Sequence, residues 1–443
     1  MNPLLRFIAL AFLCACASAT RAAPLPDESP HPSLGVGSCA ASSCHGAAET
    51  WKGSNVAQTE YHTWRRGDKH ARAYAVLLTE RSRGIAQKLG LDEPAHRARI
   101  CLDCHSHNVP AARREKQFVL ADGVNCESCH GPAERWIGPH VEPAATHRAN
   151  LAAGMFPTSD TVQRAQLCLS CHFGNARKFV SHRMMGAGHP RLSFELDTFT
   201  RLMPAHFSID QDWLRRKGAW DGVSSWAVGQ AVAARELLKM LLDPVRGRDG
   251  LFPELVLFDC HACHQPMANR RNKGRLPAGP GAVRLNDSGL LMLRHVVQRV
   301  DAAAGAEFGR QLDRLHLAVS GGKGGGNAGA TEVRATLQLV ERLLPAIVAR
   351  RFTVEDIRSM MATLLNDGLS GHYTDYAGAE QATMALQSLT NGLRQRGFPP
   401  QGAAQSALKR LLATVSEDES FRAEAFQVAL REFRAALESG LPR

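Results

Sequence analysis

Ten of the twelve cysteines in this 443-residue chain fall into five units in which the second cysteine is followed directly by a histidine. Four have the compact form Cys-x-x-Cys-His: Cys101-Cys104-His105, Cys126-Cys129-His130, Cys168-Cys171-His172 and Cys260-Cys263-His264. The fifth, Cys39-Cys44-His45, has four residues between its cysteines, so the backbone between those thiols must loop out. The compact form reads as covalent attachment of haem c. Each thiol bonds one vinyl group, and the following histidine turns its ring onto the iron as proximal ligand. A zinc site would need four ligands around one metal, yet here every cysteine pair carries its own histidine and the gaps are irregular. Structural disulfides would suit an exported chain, but they give no reason for a histidine at the same place five times. The expected complement is five haem c groups, with the wide Cys39/Cys44 unit the least standard attachment.

Five irons can take five further axial ligands, and the region holds surplus histidines. The candidate distal ligands are His70, His140, His182, His189 and His206. His70 begins the helical run HARAYAVLL, His140 ends GPAERWIGPH, and His189 precedes Pro190, which stiffens its turn. His182 and His206 lie in polar, Met-containing segments near the fourth unit. His107 follows His105 too closely to reach the same iron, although another haem could recruit it. His62, His96, His147 and His261 read as supporting or surface residues. Two neutral imidazoles give low potentials relative to His/Met ligation, and a fully ligated iron has no place for substrate.

The elements that must position these groups divide by composition. Residues 34–275 hold all five units, too little polypeptide per cofactor for a conventional core. Short helices and long loops wrapped on porphyrin faces are expected there, with helices over 70–78 and 226–242. Residues 284–443 hold no cysteine and read as a helical bundle. Ser288 is placed as an N-cap, GGKGGGNAGA from Gly321 as a loop, and Thr353 with Asp356 as a helix start ending near Gly368. Ser416 with Glu419 is placed as a capping box ahead of an amphipathic face at Phe426, Leu430, Phe433 and Leu437. His295, His316 and His372 read as packing or surface residues. The fold class is mainly α: a loop-rich multihaem region followed by a helical bundle.

Compartment agrees with cofactor. Residues 1–19 give a short n-region with Arg6, an apolar run over 7–17 and small residues at Ala17 and Ala19, the pattern of a secretory signal. Lipid attachment at Cys16 is the alternative. No later stretch is apolar enough to span a bilayer. A net charge of +11 raises nucleic-acid binding as a question. Haem propionates answer it better, since five bis-histidine haems bring roughly −5 when ferric and need cationic partners. The expected location is the periplasm or another exported site, and the expected partners are redox proteins rather than nucleic acid.

The segments GSCAASSCHG, TWRRGDKHARAYAVL, CLDCHSHNV and GVNCESCHGPAERWIGPHV resemble the cytochrome c-554 family of multihaem cytochromes, the likeness covering about residues 34–267. It implies electron transfer through closely packed haems, with His70, His140 and His189 at positions that resemble distal ligands. The wide first motif is also similar to family members, whereas five units depart from the four of the name-giving members. Two functional classes follow. One is an exported electron carrier. The other is a multihaem oxidoreductase acting on a small nitrogen or sulfur compound at one five-coordinate haem. Against the second, all five motifs end in His rather than Lys, and only four tyrosines are present. A third reading makes the C-terminal bundle a docking module.

Overall fold

A computed structural model describes residues 23–52, 56–250, 252–260, 264, 284–320 and 327–440. The protein is mainly α, as the composition requires; its one two-stranded sheet among the described residues pairs Arg248–Asp249 with Phe252–Pro253. The principal helices are α1 (Arg99–His105), α2 (Cys126–His130), α3 (Thr161–His172), α4 (His182–Gly186), α5 (Leu196–Leu202) and α6 (Gly222–Leu242). They are followed by α7 (Ser288–Val300), α8 (Ala302–Ser320), α9 (Asn327–Ala349), α10 (Val354–Leu369), α11 (Tyr376–Gln395), α12 (Gly402–Ala413) and α13 (Ala423–Gly440).

Helix α6 organises the molecule. Its sequence GVSSWAVGQAVAARELLKMLL is apolar on nearly all sides, and a helix of that kind is buried all round. It packs against α9, α7 and α11 on one side and against α3 and α5 on the other. Asp221 caps its start through the backbone amides of Val223 and Ser224. Gly229 lets α6 approach α5, because a Cβ there would lie 2.7 Å from that of Leu196. One apolar core therefore runs from Ala165 and Leu169 through Trp226 and Leu238 to Phe433. Before α3, the described residues form only a small separate cluster of Leu77, Ala86, Ala95 and Leu102.

Several local expectations are corrected. The run 70–78 is a 3-10 turn, Lys69–Arg72, followed by the short helix Ala73–Val76, because the His70 carbonyl accepts from Val124 N (3.1 Å). Asp287 rather than Ser288 precedes α7. Of the expected glycine-rich loop, 321–326 lie outside the described residues, and 327–330 are already helical in α9. Ser416 forms no capping box; its hydroxyl donates back to Ala413 O, and the chain turns so that buried Phe421 meets Tyr376 and Phe426 before α13 begins. The Thr353/Asp356 box is present, and α10 ends one residue beyond Gly368. No described helix is long and apolar enough to cross a membrane. Residues 1–19, expected to be a signal segment, lie outside the described residues together with Cys14 and Cys16.

Candidate cofactor sites

Each motif is held by a short, well-terminated element. In the wide unit, His45 N donates to Cys39 O (3.1 Å) and Cys44 N to Ala41 O (2.8 Å), so the extra residues bulge out while the flanks close. The bulge needs Gly46, since a Cβ there would overlap the Ala40 carbonyl oxygen. Helix α1 carries Cys101, Cys104 and His105. Helix α2, only five residues long, is fixed by a capping box between Asn125 and Ser128 and carries Cys126, Cys129 and His130. Helix α3 ends on Cys168, Cys171 and His172 after an Asp160 cap. In the last unit His264 N donates to Cys260 O (2.7 Å); Cys263 and His261 lie outside the described residues.

The ring positions then form a pattern. His45 lies 6.3 Å from His140 between ring centroids, His105 6.4 Å from His189, and His130 6.3 Å from His206. His172 lies 6.1 Å from His70 and His264 6.3 Å from His182. Each motif histidine thus meets one of the five singled-out histidines, with none shared. Two metal–imidazole bonds of about 2 Å, plus the reach of each ring, sum to roughly 6 Å between centroids. Those separations fit an iron between each pair. Among the described residues no three His, Cys, Asp or Glu side chains converge as a metal cage. All nine described cysteines are free thiols, as attachment requires.

Other described histidines are occupied elsewhere. His62 donates to Gly46 O, His96 abuts Tyr74, His107 bonds Ser33 Oγ and His147 bonds Ser159 Oγ. In the bundle, His295 lies between Thr363 and Tyr373, His316 sits on Asp287, and His372 is tied to Asp367 O.

Protonation and orientation suit ligation. Burial holds His130 and His172 down, at about 3 and about 4, so both stand as neutral rings, the form that binds metal. His45 and His70 are raised, chiefly by Nδ1 hydrogen bonds to Glu60 (3.0 Å) and Asp68 (2.9 Å). His105, His140 and His189 instead donate Nδ1–H to the carbonyls of Ala73, Ile137 and Pro190. Such outer partners fix the tautomer and leave Nε2 free for a metal.

The motifs are also stitched to one another. The thiols of Cys39 and Cys126 lie beside one another, as do those of Cys104 and Cys171. Cys129 lies within electrostatic range of Cys168 and Cys171. Glu127, inside the third motif and buried, accepts from the backbone amides of Leu34 (2.9 Å), Gly35 (2.7 Å) and Ala133 (2.7 Å). It binds the approach to the first motif onto the third. Sequence reasoning assigns Glu127 nothing; an acid placed between two attachment cysteines is the signal that could have marked it. Asp68, two residues ahead of a candidate ligand, is equally readable.

The match of one segment to a family model supports a c-type cytochrome, a class that binds haem c covalently and transfers electrons. Residues 38–131 match the family model described as cytochrome c554 and c-prime; the first three motifs lie in that segment. Comparison with curated proteins and with solved structures gave no match.

Proposed function

We propose that the chain is an exported pentahaem c-type cytochrome that relays single electrons between redox partner proteins, with every iron held by two histidines. The proximal ligands are His45, His105, His130, His172 and His264. Their distal partners, in the same order, are His140, His189, His206, His70 and His182. The observation that carries this reading is the one-to-one pairing of histidines at 6.1–6.4 Å. When bound, haem c supplies a one-electron iron couple whose potential the ligands and their surroundings tune.

The residues of the chain bind, orient and order these couples. The sulfur contacts put the first motif beside the third, the third beside the fourth, and the fourth beside the second. His182 and His189, in one short stretch, serve the fifth and second motifs. Cys260 has Arg191 and Asp418 within electrostatic range, and Arg191 also lines a cavity of about 90 Å³ with His172. The fifth site therefore adjoins the fourth on the bundle side. Because each motif histidine has an opposite histidine, the carrier reading is favoured over an oxidoreductase with an open iron.

Mass measurement of the exported protein tests this directly. Five haem additions on a chain starting after Ala19, with wholly low-spin ferric absorption, are expected. A high-spin component that shifts on adding nitrite or hydroxylamine would replace the carrier with the enzyme.

A further inference from the structure

A cleft of about 870 Å³ opens beside the loop that follows the second motif, between residues 93–114 and the segments around Asp27 and Lys178. Six bases line it, Arg97, Arg99, Arg113, Arg114, Arg177 and Lys178, against the three acids Asp27, Glu93 and Asp103. Part of this charge is paired: Arg177 and Lys178 share Asp27 (2.7 and 3.2 Å), Arg177 also meets Glu28 (2.8 Å), and Arg99 reaches Asp103 (3.4 Å). Arg113 and Arg114 are held by neutral acceptors. Arg113 donates to the carbonyls of Ser29 and Asp27, and Arg114 to Val109 O (2.8 Å) and Asn108 Oδ1 (3.3 Å). Carbonyl oxygens fix a guanidinium without cancelling its charge, so these cations are preorganised and uncompensated.

The floor of the cleft is the junction of two cofactor sites. Buried Lys178 places Nζ 3.8 Å from Cys171 Sγ, and Cys171 Sγ in turn lies 3.9 Å from the carbonyl oxygen of Asp103, the neighbour of Cys104. Vinyl groups and propionates leave a porphyrin from opposite edges. Cations gathered at the cysteine edge are therefore not spent on the propionates of these two haems. The basic rim spreads over exposed Arg97, Arg99 and Arg177 rather than converging on one point, and the space far exceeds a single small oxyanion. That layout suits a broad anionic surface, which steers encounter and sets orientation.

We propose that this cleft is the docking surface for an acidic redox protein, which exchanges electrons with the chain across the Cys104/Cys171 edge. The inference rests on the carrier reading above and adds the site and sign of the partner. One electron passes per encounter, and no bond forms or breaks.

The test is stopped-flow reduction of the haem-loaded protein by anionic iron(II)-EDTA and by cationic hexaammineruthenium(II), with polyaspartate as competitor. In the Arg97→Glu/Arg99→Glu variant, reduction by iron(II)-EDTA at low ionic strength is expected to slow by roughly tenfold. Reduction by the ruthenium complex should hold or quicken, and the contrast should fade in high salt. Arg99 is 78% exposed and opens α1, where an acid favours the helix, and the haem spectrum of the variant checks that losing the contact with Asp103 leaves the fold intact. Polyaspartate should inhibit the wild type where phosphate at equal ionic strength does not. Equal inhibition by phosphate would overturn the protein partner in favour of a small-anion site. Unchanged rates in a variant retaining its full haem spectrum would overturn the docking site alone, whereas a wild type lacking haem would remove the carrier reading beneath it.

Discussion

The imidazole planes of His45 and His140 stand nearly parallel, 16° apart, whereas those of His105 and His189 cross at 85°. The pairs His130/His206 and His172/His70 also cross, at 89° and 90°, and His264/His182 lies between at 42°. Parallel imidazoles split the iron dπ orbitals, while crossed ones leave them nearly degenerate. Ferric EPR should accordingly show one ordinary rhombic low-spin signal and three strongly anisotropic ones with large gmax. Five rhombic signals would be incompatible with these ring orientations.

Two of the rings carry a carboxylate on Nδ1, His45 from Glu60 and His70 from Asp68. A carboxylate acceptor makes the imidazole a stronger donor, which favours the ferric state. Glu60→Gln and Asp68→Asn should each raise one of the reduction potentials, by up to about 59 mV, the equivalent of a tenfold change in a one-electron equilibrium. Spectroelectrochemical titration reads the shift. Movement of all potentials together would point to a general structural effect instead.

Glu127 satisfies three backbone amides within the joint between the first and third motifs. Glu127→Ala leaves those donors without their acceptor, at a cost of about 3 kcal/mol or more. Glu127→Gln, which keeps an acceptor oxygen, should cost less. Thermal unfolding of both variants checks the order, and the reverse order would remove the joint's assigned role.

Buried Glu195 caps α5 through the amides of Asp197 and Thr198. Burial, reinforced by the Asp197 charge, raises its carboxyl from 4.5 to about 7. The folded chain thus holds this proton more tightly than the unfolded chain. Its contribution to stability is present below about 4.5 and is lost as pH rises towards about 7. The loss is at most roughly 3 kcal/mol. Glu195→Gln, measured by thermal melts across that range, should flatten the decline; an unaltered pH profile would assign the dependence to other groups.

Leu238, wholly buried on α6, belongs to the core shared by the motif-bearing helix α3 and the C-terminal helices. Leu238→Ala should cost about 2–5 kcal/mol. The loss should appear equally in far-UV circular dichroism and in haem absorbance, because one core unfolds as a unit. Separated transitions would show two independent units.

What could be read in advance follows the range of the interactions. The cysteine units and the helices α6, α10 and α13 declare themselves through spacing and 3.6-residue periodicity, which are local. The five histidines proposed as distal ligands are legible as candidates, because the sequence context that singles them out is local too. Their pairing is not: His70 reaches His172 and His140 reaches His45 across about a hundred residues, and no pattern encodes that. Ser416 misleads because its capping pattern is local, whereas burial of Phe421 against α11 decides where α13 starts. The small N-terminal cluster of Leu77 and Leu102 reflects the same limit, since the residues there pack on something the chain does not encode.

The direction of these pairings bears on biogenesis. Under the proposed ligation, His172 and His264 find partners, His70 and His182, that emerge earlier in the chain. His45, His105 and His130 must wait for residues 76 to 95 positions downstream. A polypeptide threaded outward from its amino terminus would expose its first three irons with one axial position open until the later histidines arrive, leaving the nascent form open to small ligands that the finished relay excludes.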